Sequence, residues 1–134
     1  MSPDPKPAKQ PAKVLLVEDE PLVRMLLADE LRQAGLTVVE AGGAREALTV
    51  LAVDSVDLVV TDIQMPGGMD GLELAERVRQ THPSVPIVLT SGNPPPLDLN
   101  QIGPFLMKPY GLSEAVEVVV AALRDIDPGD GRDG

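Results

Sequence analysis

Five short apolar runs punctuate the chain: KVLLV at 13–17, LTVVEA at 36–41, VDLVVT at 56–61, VPIVLT at 85–90 and PFLM at 104–107. Their near-continuous apolar character suits strands covered on both faces. Strands of that kind, alternating with helices, build a parallel sheet with helices packed on each side. The intervening segments carry the helical period. Leu22, Val23, Leu26, Leu27 and Leu31 mark an amphipathic helix that opens at Pro21 and ends at Gly35. Ala44, Ala47, Leu48 and Leu51 mark a second, and Leu74, Ala75 and Val78 a third within 72–79. Residues 113–124 predict a closing helix, with Ser113 as N-cap and Val116, Val119, Val120 and Leu123 as its stripe. Val118 and Ala122 add a second stripe there, either core edge or partner surface.

One segment breaks the alternation. SGNPPPLDLNQIGP, residues 91–104, holds three successive prolines with Gly92 and Gly103 on either side. Each proline removes a backbone donor and clashes with the preceding turn, so no regular helix is expected here, at most one turn around 97–102. The folded domain is expected over 13–124. Residues 1–12, with prolines at 3, 5, 7 and 11, read as a flexible lead-in, and the acidic, glycine-rich 125–134 as a disordered tail.

A net charge of −10 disfavours nucleic acid and anionic membrane, which both need a positive surface. No apolar stretch approaches the roughly 18 residues of a membrane span, and the N-terminal region lacks a signal-peptide core, so a cytoplasmic protein is expected. The absence of cysteine excludes disulfides and thiol chemistry, and a single histidine makes a zinc site improbable. That histidine, His82, is expected to be solvated; Met25 and Met107 read as core fillers and Met65 as loop packing.

Ligands of open parallel sheets bind beyond the carboxyl ends of the strands. Glu18 and Asp19 follow the first run, Asp62 the third, Thr90 ends the fourth and Lys108 follows the fifth. Singly, each has a bland reading: Asp62 as a turn cap, Glu18-Asp19-Glu20 as complement to a helix dipole, Lys108 as a solvated cation. Their convergence on one rim is what carries chemistry. Gathered carboxylates repel one another and raise each other's pKa unless a cation is supplied. A hard divalent ion such as Mg2+, with oxygen ligands, meets that need, and Lys108 adds a fixed charge.

The ordered motifs VLLVEDEP, VVTDIQMPGGMDG, VPIVLTSG and FLMKPY closely resemble the receiver domain of two-component response regulators, over residues 13 to about 124. The resemblance implies a flavodoxin-like, doubly wound α/β fold with five parallel strands in the order 2-1-3-4-5, here with the fourth helix absent or reduced to a turn. It implies that Asp62 accepts a phosphoryl group from a histidine kinase or histidine phosphotransfer protein. It further implies that Glu18, Asp19, Asp62 and the backbone carbonyl of Gln64 hold Mg2+. Thr90 and Lys108 would contact the phosphoryl oxygens, Phe105 would be the switch aromatic, and Lys108-Pro109 a cis peptide bond. Such a protein is a phosphoacceptor rather than an enzyme, apart from slow self-phosphorylation by small donors and self-dephosphorylation.

Two other readings fail on single positions. Aspartate phosphatases of the haloacid dehalogenase type need a second Asp two residues after the nucleophile, where Gln64 stands. A flavodoxin-like cofactor site needs a phosphate cradle after the first strand, where three acids stand. Within the receiver class, a stand-alone regulator, a receiver segment of a hybrid histidine kinase and a non-phosphorylated scaffold stay open. The acidic pair Glu18-Asp19 together with Asp62, Thr90 and Lys108 argues against the scaffold, and Met1 favours a free-standing protein. The doubled glycine in MPGGMDG is one residue more than the usual loop and is expected to relax the backbone beside the metal site. The Pro-rich segment leaves the usual dimerisation face incomplete. A monomer or weak homodimer is expected, with partner contacts shifted to the last helix, including Val118 and Ala122, or to the first.

Overall fold

The apolar runs form a five-stranded parallel sheet in the computed structural model, which describes residues 10–94 and 101–125. The strands are β1 (Lys13–Val17), β2 (Thr37–Ala41), β3 (Leu58–Asp62), β4 (Ile87–Ser91) and β5 (Phe105–Met107), in the order β2-β1-β3-β4-β5. The helices are α1 (Pro21–Gln33), α2 (Ala44–Val53), α3 (Gly71–Thr81) and α4 (Leu112–Asp125). This is the α/β, doubly wound, flavodoxin-like order that the motifs implied.

Alternation along each strand divides the core in two. Leu15, Val17, Val59, Ile87 and Leu89 face α2 and α3, where they meet Ala47, Leu51, Leu74 and Val78. Val14, Leu16, Leu58, Val60 and Val88 face the other way, onto Leu27, Ala28 and Leu31 of α1 and Ala115, Val119 and Ala122 of α4. β3 and β4 are buried at all five positions, as strands flanked by helices on both faces must be.

Among the described residues no helix lies between β4 and β5. Residues 95–100, which include 97–100 of the expected turn at 97–102, lie outside them, as do most of both expected tails, 1–9 and 126–134. The chain re-enters the sheet through Gly103, where a Cβ would overlap the carbonyl oxygen of Ile87. Gly103→Ala must push the β4–β5 return off the sheet. We expect a loss of about 2 kcal/mol, read from the urea midpoint at unchanged slope.

Several expectations are corrected. Met25 is 54% and Met107 43% exposed, so neither fills the core. Leu22 and Leu26 are also exposed: the apolar stripe of α1 is wider than its buried face, which Leu27, Ala28 and Leu31 form. Ser113 is the second residue of α4 and not its cap; Glu114 Oε1 accepts from the Gly111 N–H instead, at 3.4 Å. The centre of the α4 stripe is Ala115, Val119 and Ala122, with Val116, Val120 and Leu123 half-buried around it. Ala122 is therefore core, while half-buried Val118 lines a groove of about 380 Å³ with Pro86 and Pro104. His82 ends α3 half-buried, its Nδ1 2.7 Å from Thr81 Oγ1, and so is not simply solvated. Met65 packs into the first core cluster, as expected of loop packing.

Candidate functional site

Parallel strands bring their carboxyl ends to one rim, and the polar residues sit there. Glu18 directly follows β1, Asp62 is the last residue of β3, Thr90 the penultimate residue of β4, and Lys108 directly follows β5. The sheet register pairs Asp62 with Thr90, and the Ile63 N–H donates to the Thr90 carbonyl at 2.8 Å. Lys108 closes the group. Its Nζ donates to Glu18 Oε1 at 2.8 Å and to Asp62 Oδ2 at 3.1 Å, and Glu18 Oε2 accepts from the Glu20 N–H at 3.0 Å. The peptide bond from Lys108 to Pro109 is cis.

One oxygen is left over. Asp62 is 5% exposed, yet its Oδ1 has no hydrogen-bond partner among the described residues. Oxygens of Glu18, Asp19 and Asp62 all lie within 4.8 Å of one another. An all-oxygen carboxylate set with an unsatisfied buried acceptor is the donor chemistry a hard cation takes, so these residues fit Mg2+. Burial pushes the Glu18 and Asp62 carboxyls above their ordinary pKa; Lys108 opposes this in both. Their mutual proximity adds to the rise, through Asp62 at Glu18 and through Asp19 at Asp62. Burial disfavours the Lys108 charge, but hydrogen bonds to Glu18 and Asp62 outweigh it and hold the ammonium above the usual lysine value. Tyr110 is likewise raised, by burial and then by the Glu18 charge.

Of the other candidate residues, Thr90 is buried at the rim beside Asp62. Gln64 is exposed, and its Oε1 accepts from Ser91 Oγ at 2.6 Å. Phe105 is half-buried against the first core cluster, at the start of β5.

Three supporting residues escaped the sequence. Arg24 of α1 donates to the Glu18 carbonyl at 2.7 Å and to Glu40 Oε1 at 3.2 Å, which pins the loop after β1. It is the sole basic residue between Pro21 and Leu31, a weak signal that was available. Gly71 presses the start of α3 so close to β3 that a Cβ would overlap the Asp62 carbonyl oxygen, and its N–H donates to Ile63 at 2.8 Å. Ser91 reads as ordinary turn chemistry in the sequence but is fully buried.

The response regulator receiver domain family matches residues 14–119. The chain belongs to that family. This receiver is 36% identical over 118 residues to the DNA-binding transcriptional regulator NtrC of Escherichia coli, covering 82% of the chain and 24% of NtrC. It is 34% identical over 128 residues to the transcriptional regulatory protein PdtaR of Mycobacterium tuberculosis, covering 89% of the chain and 62% of PdtaR. The chain thus spans less than two thirds of these relatives. Among solved structures, a CheY-like receiver domain protein of Methanospirillum hungatei shares the fold at TM-score 0.83 and 22% identity, over 90% of this chain and 99% of that one. The response regulator TrrA of Thermotoga maritima, solved in complex with Mg(2+)-BeF, matches at TM-score 0.75 and 31% identity, over 83% and 98%.

Proposed function

We propose that this receiver accepts a phosphoryl group on Asp62 from a histidine kinase or histidine phosphotransfer protein, in a reaction that needs Mg2+, and so switches a protein-interaction surface. The observation that carries the reading is the unsatisfied Asp62 Oδ1, buried among the oxygens of Glu18 and Asp19 with Lys108 on the other oxygen. A scaffold that is never phosphorylated needs no such arrangement. Glu18, Asp19, Asp62 and the carbonyl of Gln64 would hold Mg2+, which when bound neutralises charge on the transferring phosphoryl group.

The chain's own residues do the rest. The Asp62 carboxylate attacks phosphorus while the bond to the donor's imidazole nitrogen breaks. The electron pair stays on that nitrogen, and the product is an acyl phosphate. Lys108 turns from Asp62 to the new phosphoryl oxygen, and the Thr90 hydroxyl donates to another. Lys108 acts by its charge and Thr90 by its hydroxyl dipole, both held at the rim beside Asp62. Thr90's inward shift frees space that favours an inward Phe105, which carries the change to the β5 surface.

The donor's approach is supported by an apolar groove of about 410 Å³ lined by Val23, Leu26, Lys108, Pro109, Tyr110 and Leu112. It lies beside the site, lined from α1 by Val23 and Leu26 and from the start of α4 by Leu112, apart from the Val118 groove further along α4. The net charge of −10 opposes binding to polyanions through the domain surface, and no helix among the described residues is long and apolar enough to cross a membrane.

The deciding experiment is labelling by acetyl phosphate. With Mg2+ the parent should gain one hydroxylamine-labile phosphate, and Asp62→Asn should gain none. Label persisting in Asp62→Asn, or a parent that takes none from any donor, would sink the assignment.

A further inference from the structure

The loop after Asp62 raises a difficulty for any reading that uses Gln64. Gly67 and Gly68 both adopt positive φ, at 100° and 99°, so the segment can sample conformations closed to other residues. No backbone–backbone hydrogen bond engages residues 64–69 among the described residues. A carbonyl presented from such a loop would have to be ordered each time a ligand binds, which weakens binding.

Met65 anchors the next residue in the core, and a second contact holds Gln64 itself. Ser91 ends β4 fully buried, next to Thr90. Its hydroxyl donates to Gln64 Oε1 at 2.6 Å and accepts from the Asn93 N–H at 3.0 Å, while its carbonyl accepts from the Lys108 N–H at 2.8 Å. A single rigid residue therefore grips the side chain of Gln64 just ahead of the glycine pair and the main chain of the lysine that faces Asp62.

We propose that Ser91 is a positioning residue whose hydroxyl fixes Gln64, so that the acidic site keeps its geometry despite the doubled glycine. The inference rests on the Mg2+-dependent receiver reading above, and it deepens that reading by naming what holds the metal loop. Its substance is a coupling between the two side chains. Removing either partner frees the loop, and removing the second after the first changes nothing further.

The test is a calorimetric Mg2+ titration of the full chain as parent, Ser91→Ala, Gln64→Leu and the double variant. Each single change should weaken Mg2+ binding about fivefold, the equivalent of one ordinary hydrogen bond, and the double variant should be no weaker than either. Without metal, amide exchange over 64–70 should quicken in Ser91→Ala while the core amides of β1 and β3 stay protected. Because Gln64 is exposed, Gln64→Leu carries the test should Ser91→Ala fail to fold. A parent that binds Mg2+ with both single variants unchanged, or with losses that add in the double variant, overturns the coupling and leaves the receiver reading intact. A parent that binds no Mg2+ overturns both.

Discussion

Lys108→Met should cost the metal-free domain about 2 kcal/mol near pH 8, and less at about pH 5. Removing one partner from a buried ion pair typically costs about 3–5 kcal/mol, discounted here because the Lys108 side chain is 23% exposed. Glu18 and Asp62 are then left facing each other with no cation, at side-chain exposures of 4% and 7%. The pH dependence follows from the direction of each shift. Both carboxyls are raised in the folded state, by burial first, so they oppose folding wherever they are ionised. As pH falls through their raised values the native state takes up protons before the unfolded chain does, and this cost is relieved. Lys108 is raised too, so its own titration removes stability only as pH rises through its elevated value; what acid takes away is the partner charge it faces. Deleting it raises the carboxyls further and moves their relief to higher pH. Urea titrations of parent and variant at both pH values check this. A deficit that is the same at both, or larger in acid, would refute the electrostatic account.

How much of this was legible beforehand depended on whether a property is local. The parallel sheet follows from runs of continuous apolar residues, and the rim residues follow from where those runs stop, so Glu18, Asp62, Thr90 and Lys108 could be named and placed at one edge. Strand ends depend on pairing with a neighbour. β3 runs through Asp62 itself, because the ladder with β4 extends to the Asp62–Thr90 pair and does not stop at Thr61. On α1, side-chain apolarity is a poor guide to facing: Ala28 is wholly buried while Met25 and Leu26 are not, since small residues suit close helix–sheet contact. The α4 start was misplaced because a serine near a helix origin favours capping, yet Glu114 supplies the bond. Gly71, Gly103 and Ser91 were out of reach for a deeper reason. What each does is set by a partner distant in sequence: Asp62, Ile87 and Gln64 respectively.

Exposed Leu22, Met25 and Leu26 therefore have two readings that differ only in neighbourhood. In the sequence they complete a core stripe; in the fold all three are exposed, and Leu26 lines a groove that also takes in Lys108. The misread stripe and the proposed docking surface share one cause, an apolar face wider than the sheet can cover.

Mg2+ should raise the stability of the parent by about 2.7 kcal/mol at a hundredfold excess over its dissociation constant, because a ligand that binds only the folded state stabilises it by mass action. For a domain of this size that corresponds to a rise of about 10 °C in Tm. The gain has a definite source in the site. The metal-free protein already bears the cost of two buried, ionised carboxyls and an unsatisfied Asp62 Oδ1, and a bound cation removes both burdens at once. Protons compete for the same oxygens. As pH falls through the raised Glu18 and Asp62 values, the Mg2+ increment should shrink while the metal-free Tm holds or rises. Asp19→Asn removes a cluster carboxylate that does not contact Lys108, so it should abolish most of the increment with little change in the metal-free Tm. Thermal scans with and without Mg2+ across pH decide the matter. An increment that survives Asp19→Asn, or that grows in acid, would place the ion elsewhere on this acidic surface and detach it from Asp62.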